Sequence, residues 1–134
     1  MTRLTEVEGI GDVYAQKLTE AGIMTTEALL EKGATPQGRK AVEEETGISG
    51  TLILKWVNRA DLFRIKGIGE EYADLLEIAG VDTVPELAQR NPVNLYEKIK
   101  EVNAEKKLVR RLPGQSDVEA WVAAAKELPR AIHY

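Results

Sequence analysis

Val7–Leu30 reads VEGIGDVYAQKLTEAGIMTTEALL, and 58 residues further on Ile65–Ala88 reads IKGIGEEYADLLEIAGVDTVPELA. Ten of these 24 aligned positions are identical: Gly9/Gly67, Ile10/Ile68, Gly11/Gly69, Tyr14/Tyr72, Ala15/Ala73, Leu18/Leu76, Ala21/Ala79, Gly22/Gly80, Thr25/Thr83 and Leu29/Leu87. Chance matching at ordinary residue frequencies gives about one or two. The chain therefore reads as two copies of one unit, and such periodicity decides the fold before any residue-level argument. The likeness continues in a Trp-Val-x-x-Ala pattern at Trp56, Val57 and Ala60 and again at Trp121, Val122 and Ala125. The second copy is several residues longer, which places the boundary at residues 1–61 and 62–134.

Each copy reads as a series of short helices. Ile10, Tyr14 and Leu18, like Ile68, Tyr72 and Leu76, recur every four residues and so predict one apolar helix face. Gly22 and Gly80 stand where a helix end favours a left-handed residue. Thr25 and Thr83 start the next helices, with Thr83 and Glu86 at capping-box spacing. Thr35-Pro36 and Asn91-Pro92 each set an N-cap before a proline, whose missing N–H costs nothing in a first helical turn. Ser49, and Ser116 with Glu119, offer starts for the helices carrying the tryptophans. No stretch alternates with period two for long enough to require a strand. The expected fold is all-α, with four or five short helices in each copy.

Composition narrows the function. The chain has 134 residues, no cysteine and one histidine, His133, with 43% hydrophobic and 30% charged residues. Absence of cysteine excludes a disulfide framework and thiolate chemistry, and suits a reducing compartment. The longest apolar run, Ala120–Ala125, is far shorter than the roughly 20 residues of a membrane helix, and the first residues lack a signal-peptide pattern. A cytoplasmic location is expected, with no membrane partner. Ser49, Ser116 and His133 assemble no nucleophile–base–acid set, so neither enzymatic activity nor a small-molecule substrate is expected. Eighteen basic against 22 acidic residues give a net charge of −4, so any site for a polyanion must be local.

In each copy a short apolar stretch leads through Gly-Ile-Gly into a helix. Glycine permits the tight reversal, and the central isoleucine can drop into the core. The second glycine leaves the first N–H groups of the next helix exposed, and with the helix dipole they suit a phosphate. These segments resemble helix-hairpin-helix motifs. With Lys55–Leu62 and Glu101–Pro113 included, nearly the whole chain resembles a bacterial family of tandem helix-hairpin-helix proteins known as a domain of unknown function. The resemblance implies two packed helix-hairpin-helix (SAM-like) repeats and sequence-independent contact with the DNA backbone. It implies Gly9, Gly11, Gly67 and Gly69 as contact positions, and a monovalent cation held by hairpin carbonyls; no other cofactor is expected.

The two hairpins differ in charge. Many DNA-binding hairpins carry proline before the first glycine and a basic residue or threonine after the second. The first hairpin instead has Glu8 and Asp12, with Glu6 nearby, which marks it as a structural joint or a protein contact. The second has Arg64 and Lys66 leading in, although Glu70 and Glu71 follow. An acid in the first turn stabilises a helix end by roughly 0.3–1 kcal/mol and competes with phosphate for the same field. Lys98–Arg111 (KIKEVNAEKKLVRR) adds six bases against two acids. If it folds back beside Gly67-Ile68-Gly69 it makes a phosphate-binding strip; otherwise it is a solvated helical face in which Glu101 and Glu105 oppose Lys98 and Lys106.

The remaining motifs have structural readings. Trp56, Trp121, Tyr14 and Tyr72 fit the core better than a base-stacking surface. Asp82 and Thr83 faintly resemble the aspartate of helix-hairpin-helix glycosylases, but the spacing is short, the lysine is missing, and helix capping accounts for both. Glu43, Glu44 and Glu45 point to different sides of a helix and suit solvent better than a metal. Arg59 and Asp61, at the junction, suit an ion pair setting its angle, or part of a partner groove.

The expected function is a non-enzymatic module that binds nucleic-acid backbone through Arg64, Lys66, Gly67, Gly69, Lys106, Lys107, Arg110 and Arg111. The alternative is a protein-interaction or scaffold module that has lost DNA binding.

Overall fold

Side-chain oxygens decide where several of the helices begin. Thr25 Oγ1 accepts from Ala28 N at 3.1 Å, Thr35 Oγ1 from Gly38 N at 3.0 Å, Ser49 Oγ from Thr51 N at 3.2 Å, and Asn91 Oδ1 from Val93 N and Asn94 N at 3.0 and 3.1 Å. Each satisfies a donor that the first helical turn leaves unpaired, worth about 1 kcal/mol. The computed structural model describes residues 3–134 and is all-helical over them. After a 3-10 turn at Leu4–Glu6 come α1 (Asp12–Glu20), α2 (Thr26–Lys32), α3 (Pro36–Thr46), α4 (Gly50–Leu62), α5 (Glu70–Ile78), α6 (Val84–Ala88), α7 (Pro92–Lys106) and α8 (Gln115–Glu127). No strand occurs among the described residues, and none of their helices is long and apolar enough to cross a membrane.

Glycine ends α1 and α5 as the spacing predicts. Gly22 and Gly80 have φ of +88° and +99°, and beyond them Ile23 N and Val81 N reach back to the carbonyls of Leu18 and Leu76 at 2.9 and 2.8 Å. This is the Schellman closure, which pairs carbonyls that a helix end otherwise exposes.

Three local expectations are corrected. Ile10 and Ile68 are not part of a helix face. They lie in the turns two residues before α1 and α5, buried there as the hairpin argument expects, while Leu18 and Leu76 face the core from within the helices. Ser116 does not start α8. Gly114 is its N-cap, and Asp117, in the first turn, reaches back to accept from Gly114 N at 2.9 Å. Thr83 caps α6 by position but not by accepting a backbone donor. Its hydroxyl bonds the carboxylate of Glu86 at 3.1 Å.

The chain divides into two compact units. The first comprises the residues up to Asp61 together with Ala131–Tyr134; the second is Leu62–Arg130. In the first, Leu18, Ile23, Leu29, Ile53, Trp56 and Val57 have essentially no exposed surface. Burying each large side chain contributes roughly 1.5–3 kcal/mol. The final residues are part of this unit: Ile132 is buried, His133 N donates to Ala34 O at 2.7 Å, and Tyr134 Oη bonds Asn58 Oδ1 at 3.0 Å. Arg39 secures them, donating to Gly33 O at 2.8 Å and His133 O at 2.9 Å while its guanidinium lies 5.8 Å from the centre of the Tyr134 ring. Arg59 and Asp61 are 5% and 0% exposed, and both are engaged, as buried charges must be.

In the second unit α7 packs against α5 and α8, and α6 against α8. Leu75, Leu76, Leu87, Leu95, Ile99, Val118, Trp121 and Val122 form its core.

Candidate nucleic-acid interface

The second hairpin is built from the end of α4 to the start of α5. Ile65 N and Ile68 N bond the carbonyls of Leu62 and Ile65, both at 3.1 Å, so the chain makes two successive tight turns. Gly67, between them, has φ of +94°, and a Cβ placed there would lie 3.2 Å from Trp121 Nε1. The backbone conformation favours glycine at this position, and the tryptophan edge leaves little room for a Cβ. In the first unit Gly9 also has φ of +94°, with Trp56 Nε1 3.2 Å from its missing Cβ. The tryptophans are buried in their respective cores, against Tyr14 and Tyr72 at centroid distances of 5.1 and 5.3 Å. Among the described residues no hydrogen-bond partner meets the buried Trp56 Nε1.

Gly69 is the N-cap of α5, exposed, with an extended backbone and open space where a Cβ would stand. Glu70 and Glu71 follow, exposed. The carbonyls of Leu62 and Ile65 each already accept one N–H, leaving each a single lone pair for the monovalent cation implied by the resemblance.

The predicted basic residues fall into two groups. Arg64 is half-buried and donates from its guanidinium to Pro129 O at 2.7 Å, tying the beginning of the second unit to its end. Lys66, Lys106, Lys107, Arg110 and Arg111 are exposed, and no acidic partner meets their side chains among the described residues. Helix α7 stops at Lys106, so Lys107, Arg110 and Arg111 stand on a loop. Among the described residues neither Lys98 with Glu101 nor Lys106 with Glu105 forms an ion pair; on this helix Lys100 pairs with Glu97 at 3.4 Å and lies 5.1 Å from the Tyr96 ring centre.

The loop from Lys107 to Gly114 is held at several points. Lys107 caps α7 in the left-handed conformation, φ 52°, its N–H bonded to Asn103 O at 2.8 Å. Asn103 then grips Val109 from both sides, accepting from its N–H at 3.0 Å and donating to its carbonyl at 3.4 Å. Tyr72, third residue of α5, donates its hydroxyl to Arg111 O at 3.0 Å. Val109 and Pro113 are buried and Leu108 and Leu112 partly so, while the cations face solvent. The structure thus brings the Arg111 backbone to the first turn of α5. It shows no such bond for Lys106 or Lys107.

Sequence reasoning placed Tyr72 in the core and missed both the bond its hydroxyl makes and the role of Asn103. The available signal was a short amide side chain in the last turn of a helix, a residue type that readily bonds nearby backbone.

In the first unit a surface cleft of about 310 Å³ is lined by Lys17, Glu20, Ala21, Glu45 and Thr46 and contains none of the predicted residues. Glu43, Glu44 and Glu45 are all exposed on α3, and no group of three potential ligands suited to a metal occurs among the described residues.

Comparison with known proteins adds one finding. The family model described as a domain of unknown function (DUF4332) matches residues 8–128. No curated protein and no solved structure matches the chain.

Proposed function

We propose that this chain, which belongs to the DUF4332 family of domains of unknown function, is a non-enzymatic cytoplasmic module of two helix-hairpin-helix repeats that binds nucleic-acid backbone without reading sequence. The shared hairpin geometry supports the repeat reading: glycine at φ +94° in both, each against the edge of a tryptophan 3.2 Å from its missing Cβ. The second hairpin and the loop after α7 form the contact surface.

One observation carries this reading. The bond from Tyr72 Oη to Arg111 O at 3.0 Å joins a stretch with four cations and no acid, Lys106–Gly114, to the first turn of α5. Residues 62–130 carry 11 basic and 12 acidic side chains, so attraction for a polyanion has to come from this stretch and not from the unit as a whole, with Glu70 and Glu71 of the same turn opposing it. Gly67 and Gly69 let the backbone approach a phosphate, and Lys66, Lys106, Lys107, Arg110 and Arg111 supply charge. Arg64 serves as a structural tie through Pro129. Contacts of this kind position a protein on nucleic acid and carry no base information.

Titration of labelled duplex DNA, single-stranded DNA and RNA at several salt concentrations tests the reading. Binding that weakens steeply with salt and is lost in Lys66→Glu with Arg110→Glu supports it; undetectable binding near 50 mM salt overturns it. In that case a protein contact through the first unit is favoured, since Val13 and Met24 are 69% and 66% exposed there and Glu8 and Asp12 flank the hairpin.

A further inference from the structure

We infer that Lys107–Gly114 is a preorganised cationic strap for the backbone of duplex DNA, with Asn103 and Tyr72 as the positioning residues that hold it in its binding shape. This rests on the nucleic-acid reading and identifies which part of the surface does the binding, and how.

The strap has a construction that solvation alone does not require. The loop connecting α7 to α8 is bonded at Val109 by both polar atoms of Asn103 and, across the unit, at Arg111 by the Tyr72 hydroxyl. Between and beside these latches the sequence alternates in purpose. Leu108, Val109, Leu112 and Pro113 turn inward, and Lys107, Arg110 and Arg111 turn outward without acidic partners among the described residues. Lys107 also occupies a left-handed position, φ 52°, where glycine is the favoured residue. The chain therefore keeps a cation at a backbone position that disfavours it.

Long cationic side chains on a mobile loop lose freedom when they settle on a polyanion, and ordering the loop beforehand removes part of that cost. The expected partner is a duplex. The aromatic residues of the second unit, Phe63, Tyr72, Tyr96 and Trp121, are all buried or half-buried, so the strap has no open platform on which single-stranded bases could stack.

Positioning and charge leave different signatures, and the test reads both. Labelled duplex DNA is titrated at several salt concentrations with the intact protein and with Tyr72→Phe, Asn103→Ala and Arg110→Gln. In parallel, loop order is followed by the rate of trypsin cleavage after Lys107, Arg110 and Arg111 without DNA. Tyr72→Phe removes one hydrogen bond and keeps every charge. It should speed cleavage and weaken binding about fivefold, with the plot of log K against log salt shifted down in parallel. Asn103→Ala should act in the same direction and provides a second reading should Tyr72→Phe fold poorly. Arg110→Gln should instead flatten the slope by about 0.9.

Faster cleavage with unchanged affinity overturns the inference, since the order of the loop would then be irrelevant to binding. Unchanged cleavage in both latch variants also overturns it. Absence of binding by the intact protein overturns the nucleic-acid reading itself, and is recognised before any variant is compared.

Discussion

Replacing Lys107 with glycine should make the protein more stable and a poorer binder of nucleic acid. Lys107 is the one residue other than glycine with positive φ among the described residues, at 52°. A side chain in the left-handed conformation costs roughly 1–2 kcal/mol relative to glycine, of which glycine's greater freedom in the unfolded chain returns about 0.4–1. A net gain of about 0.5–1 kcal/mol remains, equivalent to a rise of about 2–5 °C in melting temperature for a chain of this size. The same change deletes one exposed cation. If Lys107 meets a phosphate, the slope of log K against log salt flattens by about 0.9 and affinity at 0.1 M salt falls about eightfold. Thermal melting by circular dichroism and duplex titration across a salt series measure the two effects, with Lys107→Ala as control because it removes the charge and keeps the strained backbone. A lower melting temperature for Lys107→Gly refutes the backbone argument. Affinity unchanged in both variants refutes the assignment of Lys107 to the binding surface.

The other predictions concern stability and are read from urea unfolding midpoints. Gly67→Ala, with φ of +94° and Trp121 Nε1 in the way, should cost about 2 kcal/mol or more, whereas Gly69→Ala, with extended backbone and open space, should stay within about 0.5 kcal/mol; equal effects would contradict the hairpin geometry. Gly38→Ala reverses the usual propensity. Alanine in a helix ordinarily gains about 1 kcal/mol over glycine, but at this place in α3 its Cβ would run into the Lys32 carbonyl, so a loss is expected and a gain would refute the packing. Deleting Ala131–Tyr134 removes the burial of Ile132 and the bonds to Ala34 and Asn58, an expected loss of roughly 2–4 kcal/mol. An unchanged midpoint would show that these residues do not hold the first unit together.

Much of the architecture was legible without coordinates because local chemistry dictates it. Thr25, Thr35, Ser49 and Asn91 cap helices by their own oxygens, and Gly22 and Gly80 close helices by taking a conformation other residues resist. Such effects act within four or five residues, the range over which sequence spacing is spatial spacing. Reading Ile10 and Ile68 into a helix failed for a related reason: a period of four also fits a residue in the preceding turn that points the same way. Ser116 yielded to Gly114 with Asp117, two competing caps whose difference is small and decided by how the loop enters the helix.

The candidate site divides differently. Residue order alone determined that glycine turns the chain at Gly67, that the net charge is negative, and that Lys98–Arg111 concentrates positive charge. Tertiary structure alone decided that α7 ends at Lys106, that Arg64 is committed to the Pro129 carbonyl, and that the Arg111 backbone meets Tyr72, 39 positions away. Pairings at that separation depend on how α5, α7 and α8 pack. Packing follows from the summed burial of many apolar side chains, and no short stretch of sequence records the result.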